Sequence, residues 1–307
     1  MSTNEAGYLS LVREVLADGE EREGRNGTTL SVFGRQLRFD LVKRDISGNI
    51  TDLVLPLLTS KRVPFRLVME ELKWFVSGRT DNKHLADRNV RIWQGNADAG
   101  PLWTDSDPTI GDLGPIYGFQ WRHFGASYAG CKEVDPSNGT SQYDGKGVNQ
   151  VQWVVDELKR NPGTRRAVMS AWNPADLPKM ALPPCHILAQ FWIGKKGLSC
   201  HMYQRSADIG LGVPFNIASY SALTHVIAKS IGVPPNELVM SFGDCHVYEG
   251  HIDALRGQCD REPRPFPTID FMRGLDEYSV DDLMEMNGGF RIIGYNPHPT
   301  VRMAMVA

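Results

Sequence analysis

A cysteine set between prolines and a histidine, Pro183-Pro184-Cys185-His186, is the side chain of this sequence best placed for covalent chemistry. Downstream runs Gln204-Arg205-Ser206-Ala207-Asp208. A guanidinium near a thiol lowers its pKa from about 8.5 and enriches the nucleophilic thiolate, so the pair predicts a cysteine activated by Arg205. Cys131, Cys200, Cys245 and Cys259 read as structural thiols, since free cysteine is among the most often buried residue types. Five cysteines with no CxxC pair disfavour a zinc site or a disulfide framework. Arg25, Arg165, Arg166 and Arg205 each stand in a loop or at a strand end. Taken singly, each reads as a solvated surface residue; brought together, they would hold a phosphate through bidentate bonds. His246, in Gly243-Asp244-Cys245-His246-Val247-Tyr248, is the histidine that stands beside several other polar candidates. Asp208 and Asn216 bracket a glycine-containing turn, Gly210 to Phe215, that could present a carboxylate and an amide to a flat heterocycle. No Rossmann or Walker spacing occurs.

These groups need elements to hold them. Tyr8 to Asp18 carries Leu9, Val12, Val15 and Leu16 on one helical face, with Gly19 after it as a cap. Glu21 to Thr29 is polar and reads as a loop bearing Arg22 and Arg25, before a strand that begins at Leu30. Phe65 to Ser77 reads as a helix with Val68, Leu72 and Phe75 on its apolar face. Glu71 falls on that same face, and a carboxylate aimed at a core calls for a chemical reason. Residues 126 to 147 are rich in Gly, Ser, Asn and Asp and read as an exposed loop insertion. A helix follows through Val151, Val154, Val155 and Leu158 and stops at Asn161-Pro162; a strand follows over Ala167 to Trp172. Gly194-Lys195-Lys196-Gly197 signals a hairpin, which places Cys185 and Arg205 at the same outer end. Pro214 to Ile231 reads as a buried helix closed by Gly232, with strands over Leu238 to Val247 and Phe290 to Gly294. Helices and long strands without regular alternation predict an α+β fold.

The chain has 307 residues, 41% hydrophobic and 22% charged, enough for a core that needs no staple. A net charge of -3 argues against a protein devoted to long nucleic acid. With no apolar run near the roughly 20 residues that span a bilayer and no signal-like N-terminus, a cytoplasmic location is expected.

Several long signatures occur together: Phe33 to Gln36, Leu57 to Val63, Glu70 to Phe75, Gly111 to Arg122, Leu182 to His186, Tyr203 to Ser219, Gly243 to Tyr248, Arg261 to Pro267 and Gly294 to Thr300. In these the chain resembles the thymidylate synthase family from about Tyr8 to the C-terminus. The resemblance implies one catalytic domain over 1–307, with a large mixed β-sheet flanked by helices and two copies joined sheet to sheet. It implies that Cys185 adds to C6 of the uracil of dUMP, and that 5,10-methylenetetrahydrofolate supplies a one-carbon unit and a hydride to yield dTMP. No metal is implied. Arg25, Arg205 and Ser206 would hold the phosphate, with Arg165 and Arg166 reaching across the dimer interface. His186 and Gln204 would line the nucleotide site, His246 and Tyr248 would hold the deoxyribose hydroxyl, and Asn216 would read uracil. Glu71 would organise proton transfers through water, Tyr117 would help remove the C5 proton, and Asp208 would contact the pterin. Ile92, Trp93, Asn96, Leu182, Leu211, Gly212, Phe215, Met305 and Ala307 would shape the folate pocket.

Three departures leave a dUMP hydroxymethylase as the alternative, in which water rather than hydride captures the intermediate to give 5-hydroxymethyl-dUMP for modified viral DNA. The Arg25 to Thr29 segment is one residue short of the usual loop, Gln94 replaces the Asp that normally follows Trp93, and the chain ends Met305-Val306-Ala307 where a larger aliphatic is usual. Glu249-Gly250 also departs from the usual pair. A non-catalytic nucleotide- or RNA-binding member would be expected to lose the thiol or the phosphate arginines, and this chain has all of them.

Overall fold

The computed structural model describes residues 5–99, 111–131, 141–272, 274 and 278–306. In chain order the elements are α1 (Glu5–Asp18), β1 (Glu20–Gly24), β2 (Gly27–Asp40), β3 (Val42–Arg44), β4 (Ile50–Val54), α2 (Phe65–Val76), α3 (Asn82–Ala86), α4 (Gln94–Asp98), α5 (Tyr117–His123), α6 (Gln150–Arg160), β5 (Val168–Ser170), β6 (His186–Gly194), β7 (Gly197–Asp208), α7 (Gly212–Ile231), β8 (Pro235–Tyr248), α8 (Ile252–Cys259), β9 (Thr268–Phe271), α9 (Val280–Glu285) and β10 (Phe290–Ile293). This is the α+β arrangement expected. A six-stranded sheet runs β1-β2-β8-β7-β6-β5, and a four-stranded one runs β10-β9-β4-β3. The large sheet is mixed, because β7 and β8 are parallel while its other pairs are antiparallel.

The parallel pair places the chemistry. Joining two parallel strands requires a crossover, supplied by α7, which is apolar nearly all round and buried on almost every face. Gly232 ends it in the left-handed conformation, φ 73°, that a glycine adopts without strain. In the parallel register Ser206 lies beside Asp244 and Asp208 beside His246. Polar residues from two distant segments thus share one end of the sheet. The β6–β7 hairpin closes at Gly194 opposite Gly197 as expected. An irregularity between His186 and Leu188 re-aims the strand start that follows Cys185.

Two expectations change. Residues 21 to 29 are not a loop but a hairpin: β1 pairs with β2 from Glu20 opposite Ser31 to Gly24 opposite Gly27. Arg25 and Asn26 form its tip, and Gly27 takes φ 107° there. Every β1 residue is exposed, so no apolar alternation marked it as a strand. Within 126–147, Tyr128 and Tyr143 are buried and pack edge-on against Phe119. Tyr128 also donates to Asp112 Oδ1 at 2.6 Å, so this segment has a satellite core of its own; residues 132–140 lie outside the described set. At the N-terminus, Glu5 is fully buried and accepts from Thr59 N, Thr59 Oγ1 and Ser60 N at 2.7 to 3.0 Å. That bond set starts α1 ahead of the apolar periodicity.

Candidate active site

A cavity of about 700 Å³ opens at the ends of β7 and β8. Its floor is aromatic. Phe75 of α2, Tyr117 of α5, Trp93 and His186 pack ring to ring, with Tyr117 stacked on His186 at 4.1 Å. Glu71 is buried in this floor and accepts from Trp93 Nε1 at 2.8 Å. Removal from water penalises the carboxylate, and its pKa rises to about 7 despite the indole bond. A group that titrates near neutral pH can both donate and accept protons during turnover. His186 is pushed the other way: burial lowers it to about 3, so the ring is neutral, with Nδ1 2.8 Å from Tyr220 Oη.

Cys185 sits on the cavity wall just before β6. Its backbone N–H donates to Tyr117 Oη at 2.6 Å, and its carbonyl accepts from Arg205 N at 2.8 Å. Arg205 acts on the thiol in the expected direction, but burial outweighs it and pushes the thiol up from its ordinary value. The guanidinium is occupied: Nε donates to the Pro184 carbonyl and Nη2 to the Pro183 carbonyl, each at 2.8 Å, and the group lies 5.4 Å from the Trp172 ring centre. Arg205 therefore braces the loop that presents the thiol.

Around these groups the cavity gathers Arg25, Gln204, Ser206, Asp208, Asn216, His246 and Tyr248, with Ile92, Trp93, Asn96, Leu182, Gly212 and Met305. Gln204 is nearly fully buried; its Nε2 donates to Ser206 O at 3.0 Å, while Oε1 has no partner. A ligand N–H would satisfy that acceptor. Asp208 accepts through Oδ1 from Gly210 N and Leu211 N at 2.9 and 3.2 Å, so it also shapes the turn into α7. Leu211 and Phe215 are not among the lining residues, because α7 turns Gly212 and Asn216, one turn apart, toward the cavity instead. Arg165 and Arg166 are exposed and also absent from the walls. Ala307 lies outside the described residues.

Sequence reasoning missed Arg22, Asp244 and Val306 as lining residues. Asp244 and Arg22 are joined at 3.2 Å only by the β1–β2 hairpin, a contact invisible in the primary sequence. It also missed Lys61, which is buried, lowered to about 8 by burial, and donates to the Gly210 carbonyl. His251 Nε2 lies 2.8 Å from Ala304 O and secures the C-terminal segment that brings Met305 and Val306 to the cavity.

A nucleophile that must lose its proton, set beside a carboxyl that titrates near neutrality, is the equipment of covalent group transfer with acid–base assistance. The chain belongs to the thymidylate synthase family: the family profile described as "Thymidylate synthase" matches residues 6–307. It is 48% identical over 301 residues to the thymidylate synthase of Homo sapiens, covering 97% of this chain and 89% of that protein. It is 46% identical over 303 residues to the thymidylate synthase of Equine herpesvirus 2, covering 97% and 96%. The bifunctional dihydrofolate reductase-thymidylate synthase of Leishmania amazonensis is 48% identical over 303 residues, and this chain spans 54% of its length.

Proposed function

We propose that this chain converts dUMP to dTMP with 5,10-methylenetetrahydrofolate. The observation that carries the reading is the meeting, in one cavity, of Cys185, the near-neutral Glu71 carboxyl and a polar rim with Arg25, Ser206 and Asn216. Cys185 Sγ forms a bond to C6 of uracil, and the C5–C6 electron pair moves toward C5 and O4. Asn216 pairs its amide N–H with O4 and its carbonyl with N3–H, a pattern that cytosine would not satisfy. The folate supplies the one-carbon unit and the hydride when bound. Glu71 and the Tyr117 phenol, which burial keeps neutral, hold and pass protons near the ring. Trp93 and Leu182 line the cavity as an apolar wall that limits water, and the relatives named thymidylate synthase favour the synthase over the hydroxymethylase.

The fit to folate and nucleotide rests on that wall and on the unpartnered Gln204 Oε1. Arg165 and Arg166 would complete the phosphate site of a second copy. On the large sheet Trp192 is 51% exposed, and Leu188 and Tyr203, paired across β6 and β7, are 37% exposed each, an apolar surface suited to such pairing. The test is to mix the purified protein with both substrates, follow dihydrofolate by absorbance and weigh the nucleotide product. One dihydrofolate per dTMP is expected; 5-hydroxymethyl-dUMP with unoxidised tetrahydrofolate would overturn the reading.

A further inference from the structure

Asp244 is a carboxylate in a cavity meant for an anion, and its contacts explain its presence. Its Oδ1 lies 2.8 Å from His246 Nδ1, and its Oδ2 accepts from Arg22 Nη1 at 3.2 Å. The His246 bond leads the interactions that hold its carboxyl below the usual range. A carboxylate can only accept, so the short contact places the imidazole hydrogen on Nδ1. In the neutral ring, Nε2 then carries the lone pair and can only accept. His246 lines the cavity next to Tyr248, the two rings edge to face at 5.2 Å. A ligand group facing the neutral form of this ring must donate.

We infer that Asp244 is a positioning residue that fixes His246 as an acceptor, so that the site selects nucleotides carrying a free 3′-hydroxyl. The inference rests on the dUMP reading above: in a 2′-deoxyribonucleoside 5′-monophosphate the 3′-hydroxyl is the one free sugar hydroxyl, and it can donate to Nε2. Arg22 offsets the charge of Asp244 toward the incoming phosphate and ties the Arg25 hairpin to the strand that reads the sugar.

The test compares binding of dUMP and 2′,3′-dideoxyuridine 5′-monophosphate to the full-length protein by calorimetry. The unaltered protein is expected to prefer dUMP by roughly five- to tenfold, the size of one neutral hydrogen bond. Asp244→Ala should lower that ratio several-fold, and should leave it unchanged in a His246→Ala background. A variant that weakens both nucleotides equally, or acts undiminished without His246, overturns the inference. Nitrogen NMR of the unaltered protein needs no substitution: His246 is expected with Nδ1 protonated and Nε2 bare, and the opposite tautomer overturns it. Absence of any dUMP binding defeats the proposed function and this assignment together, whereas normal dUMP binding with an unchanged ratio in D244A defeats this assignment alone.

Discussion

The cavity has two unlike halves. Its floor, from α2, α5 and the start of β6, is a packed aromatic cluster in which Glu71, Tyr117, His186 and Cys185 all titrate away from their ordinary values because water is excluded. Its rim, from the β1–β2 hairpin and the β8 end, is solvated, and its ion pair is loose: Arg22 is 60% exposed where it meets Asp244. Burial makes reactivity, and it does so at a cost in stability; an exposed rim makes recognition from charges that water screens. The same residue types therefore carry different weights on the two sides.

Substitutions can break that contrast. Cys185→Ala is expected to reduce turnover by on the order of 10⁴-fold or more while dUMP still binds, measured by product formation and calorimetry. Retained turnover would remove the covalent step. Glu71→Gln should cost roughly 10² to 10⁴-fold in kcat yet stabilise the protein. The sign follows from a folded pKa of about 7 against an ordinary 4.5. No penalty exists below the unfolded value, and the full penalty, about 3 kcal/mol, is present above pH 7. Thermal unfolding at pH 4 and pH 8 should show the Gln variant gaining only at the higher pH.

Across the proposed pairing of two copies, Arg166→Ala should raise KM for dUMP by roughly 10- to 100-fold, as for a lost charge-assisted bond. Mixed with Cys185→Ala protein it should regain activity, because one hybrid site is then intact; no recovery would remove the shared-site reading. The pH dependence of Cys185 alkylation sharpens the floor: with its pKa raised from 9.0, the rate in the empty enzyme should still climb above pH 9 and respond to bound dUMP. Arg22→Ala is expected to change dUMP binding by less than about fivefold, in line with an exposed ion pair.

Helices α2 and α6 were legible from a periodic apolar face, α7 from its opening proline and closing glycine, and the β6–β7 hairpin from its turn, and packing agreed with each. The adjacency of Cys185 and Arg205 followed from that hairpin register alone. The fully exposed β1 left no such trace, so Arg22 and Arg25 read as a loop. Tyr128 and Tyr143, set among polar residues, gave no sign of their small core. Sequence by itself determined which groups are present and which local elements carry them, since periodicity and turns act over a few residues. Only the tertiary structure decided their protonation and partners. The desolvation of Glu71 and Cys185, the spending of Arg205 on two proline carbonyls, and the pairing of Asp244 with His246 and Arg22 arise where distant segments close around a space that water leaves.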